Sequence, residues 1–241
     1  MSRSRVLNLA IIWDIQGGNG RLDHDKLVDN LSTAFPDNDE TGQLDLIVFA
    51  GDIFDDLLNA VSPALALFEV WWAGFLRMCK RRDIAVRILE GTKSHDWGQG
   101  SRLVAINDKL GRIGAALVYI DELSVRYEER FDMNFLFVPD DLHHDTQVTL
   151  DQVRELLRAK NLDKVDFAFM HGSFKYQLPA HVKAPHHDEH AYLDLVKYLI
   201  FIGHIHVHSQ YDRIWAQGSF DRISHGEESA KGHLRVKLYS D

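Results

Sequence analysis

The sequence predicts an α/β fold whose chemistry is collected at the carboxyl ends of its strands. The first observation is Leu46-Ile47-Val48-Phe49-Ala50, an apolar run that stops at Gly51 and then presents Asp52, Asp55 and Asp56. Consecutive apolar residues suit a strand covered on both faces, and a glycine lets the backbone turn sharply at its end. The second is that several strand-like runs along the chain end in Asp or His. Ligand chemistry in α/β folds gathers at such ends. Taken alone, the Gly51-Asp52 turn reads equally well as a strand-to-helix connection in which Asp55 or Asp56 caps the next helix.

The chain has 241 residues and 45% hydrophobic content, enough to bury a proper core in one domain spanning residues 1–241. It has no Pro/Gly/Ser-rich linker, low-complexity tract or repeat, and its apolar runs are too short to span a bilayer. The start, Met1 to Arg5, leads directly into strand-like Val6 and shows no signal-peptide pattern. A single cysteine, Cys79, excludes an internal disulfide and makes the cytoplasm the default compartment. A net charge of −9 argues against a protein that coats nucleic acid through clustered cations. It leaves a nuclease open, because bound divalent cations offset carboxylates in a site. The 14 histidines are a heavy load of the commonest metal-ligand residue.

In order, Val6 to Trp13 reads as a strand delivering Asp14 and Gln16, which share a face in extended chain, before a glycine-rich turn. Leu22 to Ala34 reads as a helix, and Pro36 to Gly42 as a loop before the central strand. Leu57 to Arg82 carries dense helical apolar spacing and ends in Lys80, Arg81 and Arg82, cations that suit a helix carboxyl terminus. Its Trp71 and Trp72 read as core rather than as a platform for a base. Ile84 to Leu89 is the next strand, delivering Gly91-Thr92-Lys93-Ser94-His95-Asp96. Ala116 to Ile120, Leu123 to Tyr127 and Phe135 to Val138 read as strands. Thr149 to Gln152 reads as a capping box opening a helix that runs to about Asn161. The cluster Asp140, Asp141, His143, His144 and Asp145 reads as a solvated loop, with a ligand role as the alternative, and the His-rich stretch from Tyr176 to His190 as a flap or a plain loop. Val165 to Met170 delivers His171, and Tyr198 to Ile202 delivers Gly203-His204-Ile205-His206.

His204 and His206 lie two apart on an extended segment and so share a face, as ligands of one metal or of adjacent metals must. With Asp14, Asp52 and His171 they make a carboxylate and imidazole set that implies a binuclear centre, beside His95 and Asp96. Such a mixture suits Mn, Fe or Zn better than Ca or Mg, and a carboxylate such as Asp52 can bridge two ions. A pair of ions clamps a phosphoryl group and generates hydroxide near neutral pH.

The order and wording of these blocks resemble the calcineurin-like metallophosphoesterase superfamily, whose signature is Asp-x-His, Gly-Asp-x-x-Asp, Gly-Asn-His-Asp/Glu, a lone histidine and Gly-His-x-His. The match runs from Asp14 to His206. Within that superfamily the chain is most similar to SbcD-type DNA repair exonucleases, in the short form encoded by phages. Gly51 to Asp55 resembles their second block, and the tail Gly218-Ser219-Phe220-Asp221-Arg222, then Gly226-Glu227-Glu228 and Lys231-Gly232, resembles the segment after Gly-His-x-His. Read without the resemblance, that tail is a surface turn before a strand from Leu234 to Leu238.

The resemblance implies a four-layer metallophosphoesterase fold, with two packed mixed β-sheets flanked by helices, and hydrolysis of DNA phosphodiester bonds with two divalent metals. Manganese heads that expectation, with magnesium, iron or zinc as alternatives. Asp14, Asp52 and His206 would hold one ion, and Asp52 would bridge to a second held by His171 and His204. His95 would protonate the leaving oxygen, Asp96 would orient its imidazole, and Asp55 would brace the Asp52 loop. Two departures stand out: Gln16 occupies the first block's histidine position, and Ser94 falls where the asparagine ligand would be, after two extra residues. An amide oxygen can still ligate, whereas a serine hydroxyl is the weaker donor. Implied partners are DNA, an SMC-like (SbcC-type) ATPase subunit and a second copy in a homodimer, in the host cytoplasm for a phage-encoded chain. No capping domain is expected. Two other classes stay open: a phosphatase or pyrophosphohydrolase acting on a small ester, and a binding module with a degraded metal site.

Overall fold

The computed structural model describes residues 5–140, 145–223 and 227–240. Asp141, His143 and His144 of the acid and histidine cluster, and Gly226 of the tail, lie outside the described residues.

Two sheets face one another. In the first, β1 (Arg5–Ile12), β2 (Leu46–Ala50), β3 (Ala85–Leu89) and β4 (Leu117–Ile120) run parallel. In the second, β5 (Ser124–Glu128) pairs antiparallel with β6 (Met133–Val138), followed by parallel β7 (Val165–His171) and β8 (Val196–Gly203). A hairpin of β9 (Ser209–Tyr211) and β10 (Ile214–Ala216) extends the second sheet past β8. The last strand, β11 (Leu234–Tyr239), closes the first sheet antiparallel to β1.

The layers follow from the period of a strand. On β2, Leu46, Val48 and Ala50 point between the sheets, where they meet Phe135, Phe169 and Phe201. Ile47 and Phe49 point the other way, onto helices α1 (His24–Ala34) and α2 (Pro63–Arg81). Hence all five residues of β2 are buried and its sequence shows no polar alternation. Helices α5 (Thr146–Ala159) and α6 (Glu189–Leu195) cover the outer face of the second sheet over Leu136, Ala168 and Ile200. The result is the four-layer α/β arrangement of two packed mixed sheets flanked by helices. Each fully buried phenylalanine between the sheets stabilises it by roughly 1.5–3 kcal/mol. A buried ion pair also ties the sheets: Arg87 on β3 donates from Nε and Nη2 to both oxygens of Glu128 on β5.

Trp72 is fully buried against Phe49 at 5.1 Å and its indole N–H donates to the Leu103 carbonyl, while Trp71 stacks on Phe75. These are core contacts. Helix α2 starts at Pro63 rather than Leu57, because Ser62 is the N-cap and proline is suited to the first turn. Helix α5 starts at Thr146, where Asp145 accepts from the Gln147 N–H at 2.9 Å, so Thr149 lies inside the helix and the expected capping box is not its start. Two short helices after β3, α3 (Lys93–Asp96) and α4 (Gly100–Ala105), were not apparent from the pattern. Among the described residues no helix is long and apolar enough to cross a membrane.

Candidate metal centre

Parallel strands place their carboxyl ends together, and here the ends of β1, β2, β3, β7 and β8 converge at one edge where the two sheets meet. Beyond β1 and β2 the pairing continues without regular strand: the N–H groups of Asp14, Gln16 and Gly17 donate to the carbonyls of Gly51, Asp52 and Ile53 at 3.1, 3.1 and 2.8 Å. Asp14, Gln16, Asp52 and His204 all have positive φ, at 45°, 57°, 50° and 101°. Non-glycine residues rarely adopt such angles, and strain of this kind collects at functional sites. Gly51 is needed for two reasons: its φ is +95°, and a Cβ there would stand 2.1 Å from the His171 ring. A Cβ on Gly91 would stand 2.1 Å from the Asp52 backbone nitrogen, so only glycine lets the ends of β2 and β3 approach this closely.

Three of these ends bring ligand atoms together. One atom each from Asp52, His171 and His204 lies within 4.8 Å of the others. His171 is fully buried and its Nδ1 faces the Ala50 carbonyl at 3.0 Å, which turns Nε2 to Asp52 Oδ1 at 3.2 Å. Burial alone pushes the His171 imidazole down, but the Asp52 carboxylate outweighs it and raises its pKa to about 10. Burial pushes Asp52 up, and His171 and His95 together overcome this to hold it below the usual carboxylate range. His204 stands edge-on to His171 at 5.5 Å, and burial followed by the His171 charge lowers its pKa. The donor set, one carboxylate and two imidazoles with a backbone partner already orienting one ring, fits a transition metal or zinc.

Asp14 is fully buried beside this cluster and accepts the His204 N–H at 3.1 Å on both oxygens. Its Oδ1 lies 3.9 Å from His171 Nε2 and 4.0 Å from His206 Nε2. Burial raises its pKa to about 6. Among the described residues, Asp14, Asp52 and His206 do not form a second cluster as tight as the first. Gln16 is buried with its amide nitrogen, not its oxygen, turned to Asp52 Oδ2 at 3.2 Å and to His95 Nδ1 at 3.4 Å. As it stands it is a donor to Asp52 rather than the oxygen ligand expected.

Ser94 requires correction. It is exposed on α3, and its carbonyl accepts from the Trp97 indole at 2.7 Å. The hydroxyl amid the ligand atoms belongs to Thr92, whose Oγ1 lies 3.3 Å from Asp52 Oδ2, 3.5 Å from His171 Nε2 and 3.4 Å from His204 Nδ1. Thr92 directly follows Gly91, whose close approach to the Asp52 backbone brings the Thr92 hydroxyl to the cluster.

Asp96 also departs from expectation. Its carboxylate accepts the backbone N–H groups of Asp52 and Phe54 at 3.0 Å and of Gly91 at 2.7 Å, so it fastens the loops after β2 and β3 to each other. Successive residues on a helical turn do not face one another, which is why Asp96 sits under the loops while His95 turns to the cluster. The group that orients His95 is Asp52, with Oδ2 2.8 Å from His95 Nδ1. This bond, against opposing burial, raises the His95 pKa. Asp55 accepts from the Asn19 amide at 3.0 Å, while its N–H donates to the Gly17 carbonyl, bracing the glycine-rich turn against the Asp52 loop.

Two further segments bear on this site. Asp140, assigned to a solvated loop, lies close enough for its charge to act on both His171 and His204. The tail is not a surface turn: Ser219 is buried, the Phe220 N–H donates to the carbonyls of Trp13 and Asp14, and Lys231 donates to the His206 carbonyl at 3.0 Å and to Ser219 Oγ. The stretch from Tyr176 to His190, expected as a flap or a plain loop, follows buried Phe174 and contains buried His187, whose N–H donates to the Ser173 carbonyl at 2.8 Å.

No family model and no curated protein matches the chain. Solved structures do resemble it at low identity. One is TT1561 of Thermus thermophilus, at 12% identity, 88% of this chain and 89% of that chain, with TM-score 0.49. Another is a crystal structure at 9% identity, 88% of this chain and 91% of that chain, with TM-score 0.50. At these identities the likeness concerns the fold alone.

Proposed function

We propose that the protein is a metal-dependent phosphodiesterase acting on DNA, an exonuclease in repair, recombination or phage DNA processing. The observation that carries this reading is the convergence of Asp52, His171 and His204 within 4.8 Å at the meeting edge of the two sheets. Asp14 lies 3.9 Å from His171 and 4.0 Å from His206, and His95 lies 2.8 Å from Asp52. A bound divalent metal, manganese before magnesium, iron or zinc, would supply Lewis-acid charge at the phosphoryl oxygens and activate the attacking water. Asp52, His171 and His204 would hold it, with Asp14 and His206 contributing to a second ion. His95, its Nδ1 engaged by Asp52 and its proton-bearing form favoured, leaves Nε2 to donate to the departing oxygen. Thr92 steadies the Asp52 carboxylate by donating its N–H to Oδ1 at 2.6 Å. With its one cysteine free and buried, the enzyme is assigned to the cytoplasm on this reading.

The test is hydrolysis of bis(p-nitrophenyl) phosphate with manganese, followed by degradation of end-labelled linear duplex and single-stranded DNA. Turnover of the diester with both DNA forms intact would transfer the activity to a small phosphate ester, the second reading, which the net charge of −9 favours. No turnover on any substrate would leave a binding module, a reading supported by the inward amide nitrogen of Gln16.

A further inference from the structure

Beside the Asp52, His171 and His204 cluster lies a cavity of about 660 Å³, lined by Gly91, which packs against the Asp52 backbone, and by Asp140, whose charge acts on His171 and His204. The volume falls within the roughly 300–1,000 Å³ of small-molecule sites. Two aromatic side chains on its wall are held in place by the chain itself. Trp97 ends α3 with φ at 49°, its N–H donates to the Lys93 carbonyl, and its indole nitrogen is tied to the Ser94 carbonyl at 2.7 Å. It is nonetheless 55% exposed, an uncommon position for an oriented indole. Tyr119 is wedged against Gly100, where any Cβ would stand 2.4 Å from the ring, and its hydroxyl donates to Glu90. The other carboxylates of the lining are Asp121, Glu122 and Asp140, opposed by Lys93.

That chemistry selects its occupant. Rigid, partly exposed aromatic faces suit a flat ring, since stacking on a pre-set side chain requires little ordering on binding. Carboxylates repel phosphate and accept hydrogen bonds from N–H groups. A group that is flat, carries N–H donors and hangs from a phosphate is a nucleobase with an exocyclic amine. His95 lies on the same short helix that Trp97 caps two residues later, so one element presents both side chains.

We infer that this cavity is a subsite for an amino-bearing nucleobase, seated against Trp97 and Tyr119 while its own phosphate lies at the Asp52, His171 and His204 cluster. The position of the phosphate rests on the phosphodiesterase reading; the cavity does not.

The experiment is calorimetry on the manganese-supplemented protein with deoxyadenosine monophosphate, deoxyribose phosphate, deoxyadenosine and thymidine monophosphate, for wild type, Trp97→Ala and Trp97→Phe. In wild type, deoxyadenosine monophosphate binds at least about fivefold tighter than deoxyribose phosphate, the lower end of base stacking on an aromatic side chain. Trp97→Ala abolishes that difference without changing deoxyribose phosphate, and Trp97→Phe keeps most of it. A gap absent from wild type, or retained in Trp97→Ala, overturns the proposal. Thymidine monophosphate binding as tightly as the adenine nucleotide overturns the amine preference. If deoxyribose phosphate fails to bind while deoxyadenosine still binds through Trp97, the subsite stands and the phosphodiesterase reading falls. A deoxyadenosine tetranucleotide distinguishes the source: tighter binding than the mononucleotide indicates the end of a strand, equal binding a free nucleotide, and either supports the base subsite.

Discussion

Asp52 and His95 meet with Oδ2 and Nδ1 2.8 Å apart, so the carboxylate at the heart of the candidate metal cluster also aims the imidazole proposed as proton donor. His95→Ala removes the donor while leaving Asp52, His171 and His204 in place. Turnover should fall about 10²–10⁴-fold, the usual worth of general acid catalysis. Manganese content by elemental analysis should stay near that of wild type. A matching loss of metal would make His95 a ligand instead.

The ion pair between Arg87 and Glu128 bridges the sheets with both partners buried. Arg87→Met leaves the Glu128 carboxylate without its partner away from water, a change of about 3–5 kcal/mol. The double variant Arg87→Met with Glu128→Leu should recover most of that loss, because well-packed apolar groups replace a buried pair at little penalty. Urea melts of the two variants decide it: equal midpoints for single and double would show that packing at Arg87, not the stranded charge, carries the effect.

His233 offers a pH test away from the site. Its ring lies 4.9 Å from that of Phe35 and accepts from Arg235 Nε at 3.0 Å. Burial, and then the Arg235 charge, lower its pKa from 6.5 to about 4. The unfolded chain therefore takes up this proton before the folded one does. The contribution is fully present above pH 6.5 and is lost as pH falls towards about 4. His233→Gln keeps an acceptor for Arg235 and cannot titrate. The wild-type urea midpoint should fall further across that window than the variant's, and parallel curves would remove His233 from the acid response.

The strand ends were legible because their signal is local: an apolar run, then Asp or His, in one short stretch. That placed Asp14, Asp52, His171 and His204 at one edge. Roles that depend on three-dimensional direction were not legible. Asp96 adjoins His95 in sequence, yet α3 turns its carboxylate to the backbone of Asp52, Phe54 and Gly91. Ser94 is carried outward on that same helical turn, while Thr92, its N-cap, stays at the cluster. Lys231 reaches the His206 carbonyl across a tail with no periodicity, and β9 and β10, of three residues each, are too short to show a pattern.

Thr92 and Ser94 separate cleanly by mutation. Thr92→Ala removes the hydroxyl that touches Asp52, His171 and His204 and should weaken manganese binding by about tenfold, the lower end of what supporting contacts contribute. Ser94→Ala should leave the affinity unchanged, since Ser94 is exposed and the indole bond uses only its backbone carbonyl. Calorimetric titration of both checks this, and the reverse ranking would restore Ser94 as the ligand.

Gln16 sets the expected inequality between two metal positions. The position at His171 and His204 has two imidazoles, Asp52 and the nearby Thr92 hydroxyl. The position at Asp14 has His206 4.0 Å from the carboxylate and Gln16 turned to donate to Asp52, so the amide must rotate before its oxygen is offered. Burial raises the Asp14 pKa to about 6, against the His204 N–H that favours its charged form, and so opposes its use as a charged ligand near or below that pH. Manganese should therefore bind in two classes, the weaker at Asp14, with diester turnover rising as the weaker class fills. Gln16→His supplies an imidazole and should tighten that class about tenfold or more if the ring finds a supporting acceptor. Calorimetry and turnover rate, followed across one manganese titration of each protein, measure both effects. A single tight class of two ions in wild type, unaltered by Gln16→His, would show that the amide is no handicap and that the two positions are equivalent.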